Sequence, residues 1–212
     1  MRMRKKKNLI PRMERCANLW VKKPVELRGK WLTERPQEQV YLEIGCGKGK
    51  FTIETAAAEP EILLVAIERV PEAMVVAMER AAEMMLSNML FVDMDAVRLA
   101  EVFAPGEVQR IYLNFSDPWP GKRHGKRRLT SPGFLNLYKQ ILAPGGEIHM
   151  KTDNLDLFDY SLGQFPVCGY ALSQVTRDLH GERITGHMTD YEQKFYEAGR
   201  PICRCVARWD GQ

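Results

Sequence analysis

Apolar positions follow two rhythms along this chain. Near-continuous apolar runs occupy 39–44, 62–67, 88–92, 110–115 and 147–151. Between them, in 50–58, 71–86, 96–103 and 131–142, apolar positions recur every three or four residues. The first rhythm suits strands covered on both faces, and the second suits helices that bury one stripe. Their strict alternation predicts an α/β fold: a doubly wound, mostly parallel sheet with helices on both faces. Pro71 fits a first helical turn, and Ser131-Pro132 reads as an N-cap followed by proline at the first helical position. Pro144-Gly145-Gly146 reads as the stop between the fourth helix and the fifth strand. Beyond Asp153, a helix over 155–164 and two strand-like runs, 170–176 and 202–209, are expected to complete seven strands with an antiparallel last strand. The methionines of 74–85 are spaced as core residues.

Composition changes this picture little; charge changes it more. A chain of 212 residues, 45% hydrophobic and 27% charged, suits a single domain, expected here to span 31–212. Residues 1–30 hold eleven Lys or Arg against two Glu, a basic arm expected to be partly flexible, while the whole chain carries only +4. A second patch at 121–130 has five bases and no acid. Two basic patches on an acidic body suit a polyanionic partner. No stretch approaches the roughly 18 apolar residues of a membrane helix, and the start lacks a signal peptide's apolar segment, so a cytoplasmic protein without membrane contact is expected. Five cysteines without C-x-x-C spacing read as reduced thiols, and four scattered histidines point to no metal.

The first candidate site is the glycine loop Glu43-Ile44-Gly45-Cys46-Gly47-Lys48-Gly49, between the first strand and the first of these helices. It lacks the G-x-G-x-x-G spacing of a dinucleotide loop and the G-x-x-x-x-G-K-[ST] of a phosphate loop. It resembles motif I of the class I S-adenosylmethionine-dependent methyltransferases, a Rossmann-like family. Two acids stand at strand ends in register with it. Glu68 closes the second strand, where it can accept hydrogen bonds from ribose hydroxyls, and Asp95 follows the third, where it can accept from an adenine amino group. Asp95 can equally cap a helix starting near Ala96, and one residue of error in the strand end would exchange it for Asp93.

Asp117 follows the fourth strand, in Asp117-Pro118-Trp119-Pro120, where amine methyltransferases carry Asn-Pro-Pro-aromatic, so amine methylation is an alternative chemistry. The stretch Ile111 to Leu129 (IYLNFSDPWPGKRHGKRRL), with KTDN at 151–154, TDYEQKF at 189–195 and the MRMRKKK start, resembles the bacterial tRNA (guanine-N7-)-methyltransferases. The resemblance implies S-adenosylmethionine as methyl donor, held by Glu43, Glu68, Asp95 and Asp117 beside Gly45, Gly47 and Gly49. It implies tRNA as partner, with a variable-loop guanine as target, and a monomer or homodimer. Substrate contacts carried over are Lys122, Asp153, Thr189, Asp190, Tyr191 and Glu192, and the basic side chains Arg123, Lys126, Arg127 and Arg128 can neutralise phosphates. Gly121 stands where such proteins often have a first lysine.

Read as chemistry, guanine N7 carries a free lone pair, so its methylation needs no general base, and the product purine is cationic. Asp117 is therefore expected to orient the base and stabilise the growing positive charge without taking a proton. Trp119 suits either stacking on the base or packing beneath the loop. Thr189 to Glu192 also reads as an N-cap box opening a helix. A small-molecule methyltransferase and a non-catalytic RNA-binding protein are the rival classes. The first has no use for two basic patches, and the second has none for acids at three strand ends.

Overall fold

The computed structural model describes residues 6–211. Residues 1–5 of the basic arm, Gln212 and the side chain of Lys122 lie outside the described residues. Seven strands form one sheet: β1 (Gln39–Ile44), β2 (Ile62–Glu68), β3 (Met89–Asp93), β4 (Val108–Asn114), β5 (Leu142–Thr152), β6 (Ala171–Thr176) and β7 (Cys203–Arg208). Their order is β3-β2-β1-β4-β5-β7-β6. The pairs from β3 across to β5 are parallel, and β7 lies antiparallel between β5 and β6. The order reverses between β1 and β4, which opens a crevice at their carboxyl ends, the place where open α/β sheets bind ligands.

Each face of the sheet has its own core. On one side α1 (Leu9–Arg15), α2 (Lys50–Ala58) and α3 (Pro71–Glu83) enclose Met13, Phe51, Ala66, Met74, Met78 and Phe91. On the other, α4 (Leu99–Val102), α5 (Pro132–Lys139) and α6 (Leu155–Val167) enclose Leu42, Val65, Leu99, Ile111, Tyr138 and Phe158. Alternate residues of β1 serve the two cores, Val40, Leu42 and Ile44 on one side and Tyr41 on the other, as the pleat requires. A last helix of eight residues, α7 (Asp190–Glu197), follows a long loop after β6.

Three local expectations change. Pro144-Gly145-Gly146 does not break the chain before the fifth strand but lies inside β5, which begins at Leu142. Gly145 N–H donates to Trp209 O and Trp209 N–H to Gly146 O, so pairing at the β7 end carries the strand through, and the β4 register shifts between Val108 and Arg110 to accommodate it. The helix expected over 96–103 divides into a 3₁₀ turn (Ala96–Arg98) and the short α4. Residues 8–30, expected as part of an arm, lie against the domain edge. Met13, Cys16 and Leu19 are buried, Trp20 bridges to Phe91 beside β3, and Arg12 pairs with Glu79 of α3.

Candidate active site

The glycine loop turns the chain from β1 into α2 while staying hydrogen-bonded to β2. Gly45 N–H donates to Ile67 O at 2.7 Å, and Gly49, the N-cap of α2, donates to Cys46 O at 3.0 Å. Gly49 has φ +79°, and a Cβ there would stand 2.5 Å from the Ala77 Cβ, so only glycine lets the loop lie this close to α3. Glu68, at the end of β2, accepts from Gly47 N–H and from Val70 N–H, both at 2.9 Å. The acid thus fastens the loop to the second strand while its remaining lone pairs stay available to a ligand.

A crevice of about 590 Å³ opens over these strand ends. Gly45, Glu68, Asp95, Asp117, Lys126 and Arg127 all line it, with Asn114, Phe115 and Trp119 between them. Asp95 rather than Asp93 faces the crevice; it also caps the 3₁₀ turn by accepting from Val97 N–H at 3.1 Å, and Arg69 stands 3.7 Å away. The capping reading of Asp95 is thus seen directly, and the same side chain lines the crevice. Asp117 is exposed on the crevice wall. The loop that carries it is held in unusual backbone: Phe115 has φ +53° and Trp119 φ +43°. The guanidinium of Arg127 lies 4.8 Å from the Trp119 ring centroid, and Arg128 donates to the carbonyls of Pro118 and Trp119. Trp119 and the basic turn (Lys122–Arg127) are packed together at the mouth, with Arg123, Lys126 and Arg127 exposed.

Glu43 is not in the crevice lining. Its side chain points toward α2, only 1% exposed, and accepts from the Thr52 hydroxyl and, at 3.0 Å, from Asn114 Nδ2. Burial pushes its carboxyl up to about 6, against the pull of those two hydrogen bonds and with a contribution from the charge of Glu68. A second, smaller cavity of about 160 Å³ lies beyond Asn114, between Phe51, Tyr112, His149, Lys151 and the 179–187 loop.

The remaining expected site residues gather on α7 and the end of β5. Thr189 caps α7 by accepting from Glu192 N–H at 2.9 Å. Tyr191 OH donates to Asp153 at 3.3 Å, and its ring packs on Phe115 with centroids 5.2 Å apart, so α7 leans on the loop that bears Asp117. Asp190 pairs with Arg80 at 2.9 Å. Glu192 is fully buried, 3.1 Å from Lys151 Nζ and 3.2 Å from His180 Nε2, and so faces the protein interior. Lys151 also donates to His187 O at 2.8 Å, and burial holds its ammonium below the ordinary lysine range. Arg69, Arg80, Asn114 and Lys151 were not singled out from the sequence. Asn114 ends β4 and pairs with Lys151, one residue before the end of β5, a placement that could have marked them, whereas the two arginines look like any solvated helix or loop charge.

Comparison with known proteins supplies the family and the fold class. A family model described as "Putative methyltransferase" matches residues 37–205. A tRNA (guanine-N(7)-)-methyltransferase of Bacillus subtilis (strain 168) is 41% identical over 211 residues, 99% of each chain. One of Listeria monocytogenes serotype 4b is 43% identical over 212 residues, again 99% of each. The chain belongs to the tRNA (guanine-N(7)-)-methyltransferase family. Among solved structures, the 16S rRNA methyltransferase KamB superposes with a TM-score of 0.65 at 18% identity, covering 87% of this chain and 91% of that one. The antibiotic-resistance methyltransferase Kmr gives 0.61 at 19%, covering 91% and 95%. These solved structures share the class I methyltransferase fold seen here, in which β7 alone opposes the other strands of the sheet.

Proposed function

We propose that this enzyme transfers a methyl group from S-adenosylmethionine to N7 of a guanine in tRNA. The observation that carries the reading is that one crevice joins two kinds of lining: the acids Glu68 and Asp95 over the glycine loop, and Asp117 with Lys126 and Arg127 at its mouth. The donor's fit is tested by the first group. Glu68 and Asp95 are acceptors 27 positions apart in sequence that line the same crevice, Glu68 at the end of β2 and Asp95 two residues beyond the end of the neighbouring β3, and Gly49 lets the loop beside them pack closely on Ala77. Glu68 would hold the ribose hydroxyls and Asp95 the adenine amine. When bound, the sulfonium supplies an electrophilic methyl.

The chain's own residues then have a defined task. N7 has no proton to lose, so the protein positions the base and stabilises the charge that grows on the purine. Asp117 is the carboxylate on the crevice wall suited to both. Phe115 and Tyr191 brace its loop, and Asp153 fixes Tyr191. Arg123, Lys126 and Arg127 project from the mouth, where they neutralise RNA phosphates without reading sequence. The family's curated members carry this activity in their names, and a tRNA-modifying role supports a cytoplasmic location.

The test is to incubate the protein with methyl-labelled S-adenosylmethionine and unmodified bulk tRNA, then cleave the RNA specifically at 7-methylguanosine. Label is expected at that cleavage site. Label in a small molecule, at another RNA position, or nowhere rejects the reading.

A further inference from the structure

Arg80 joins the two halves of the site, and nothing above assigns it a role. It lies in the last turns of α3, whose Ala77 already touches Gly49 of the glycine loop. A single nitrogen, Nη1, donates to the carbonyl of Lys48 inside that loop at 3.0 Å and to Asp190 Oδ2 at 2.9 Å. Lys48 belongs to the segment that shapes the donor end of the crevice. Asp190 opens α7, and the next residue, Tyr191, packs on Phe115 and bonds Asp153. The guanidinium therefore stands between the backbone of the cofactor loop and the helix that braces the base-binding loop, with 110 positions of sequence separating Asp190 from Arg80.

We propose that Arg80 is a positioning residue that couples donor binding to tRNA binding, by holding the Lys48 carbonyl and the α7 N-terminus in one arrangement. This rests on the function proposed above. A donor that orders the glycine loop fixes the Lys48 carbonyl, hence the Arg80 head, hence Asp190 and Tyr191. RNA that seats against α7 acts on the same bridge in reverse, so each ligand tightens the other by the same factor. The bridge is partly solvent-exposed, with both side chains about 40% accessible, so the factor is modest: about 2- to 5-fold, the range such charged contacts support.

The experiment measures the dissociation constant of unmodified tRNA with and without saturating S-adenosylhomocysteine, for the wild type, Arg80→Met and Arg80→Lys. Methionine keeps the apolar stem and removes the donors. Lysine retains a head that can donate to both acceptors. The wild-type ratio is expected at about 2 to 5, falling to about 1 in Arg80→Met and partly recovering in Arg80→Lys, while S-adenosylhomocysteine still binds each variant alone. A ratio of 1 in the wild type, or one unchanged in Arg80→Met, overturns the coupling. If the wild type methylates tRNA yet shows either of those results, only the coupling falls. If it neither binds nor methylates tRNA, the proposed function falls as well.

Discussion

Replacing Glu43 with glutamine should make the protein more stable at alkaline pH and leave it nearly unchanged in acid. The carboxylate is 1% exposed, and burial raises it from 4.5 to about 6. A group whose folded pKa lies above its unfolded value contributes stability that is complete below about 4.5 and is lost as pH rises through about 6. That gap corresponds to about 2 kcal/mol. Glutamine keeps the shape and both contacts: its oxygen accepts from Asn114 Nδ2, and its amide donates to the Thr52 hydroxyl, which then acts as acceptor. The variant therefore lacks the pH-dependent loss. Urea unfolding of both proteins between pH 4.5 and 8 isolates the effect, because the other carboxylates titrate alike and cancel in the difference. The stability of Glu43→Gln relative to wild type should climb by about 2 kcal/mol across that window. A difference that stays flat would refute the idea that this carboxylate is held ionised at a cost. Donor affinity of the same variant then separates charge from shape, since the family resemblance puts Glu43 on the donor while the structure sets it behind the crevice, against Asn114.

Other perturbations bear on separate parts of the site. Asp117→Asn and Asp117→Ala should each slow single-turnover methylation by about 100-fold or more, as loss of one preorganised electrostatic group does, and wild-type rates in both would sink the role assigned to it. Lys151→Met leaves Glu192 buried without its ammonium and should cost about 3–5 kcal/mol in chemical denaturation, whereas Lys151→Met combined with Glu192→Leu should recover most of that; equal losses in the single and double variants would contradict the pairing. Neutralising Arg123 and Arg127 together should reduce the slope of log affinity for tRNA against log salt by about 1.4–1.8, between the single-strand and duplex values for two contacts, while leaving S-adenosylhomocysteine binding intact. An unchanged slope would remove these two side chains from the RNA interface.

The strands were legible because a parallel sheet covered on both faces leaves near-continuous apolar runs, and β1 and α2 begin and end where those runs do. The crevice was legible for a related reason: acids at the ends of such runs, Glu68 and Asp95, have few places to be except over the strand ends. What escaped was set by contacts between distant segments. Leu9–Arg15 offers only a thin apolar stripe, and its helix is fixed by burial of Met13 on α3 and by Arg12 against Glu79. Pro144 to Gly146 carries turn residues in any window, yet β7 supplies the partners that make it strand. The capping pattern Thr189 to Glu192 predicted a helix start, and α7 begins there. That the Glu192 side chain turns inward depends on Lys151 and His180, which no local pattern announces.

The same distinction explains the strained loop between β4 and the basic turn. Phe115 and Trp119 both take left-handed backbone, at a cost of order 1–3 kcal/mol each for non-glycine residues, and nothing in Asn-Phe-Ser-Asp-Pro-Trp demands it locally. The surroundings impose it. Phe115 N–H donates to Lys151 O at 2.9 Å, its ring is held by Tyr191, and Trp119 is held by Arg127 over its face and by Arg128 on its carbonyl. Relaxing either residue would swing Asp117, which sits midway between them, out of the crevice wall. The cluster of bases that follows Asp117 therefore does two things at once. Arg128 and the face of Arg127 fasten the loop, and Arg123, Lys126 and Arg127 are exposed beside it, so under the proposed function phosphate binding at the mouth would be mechanically tied to the placement of Asp117.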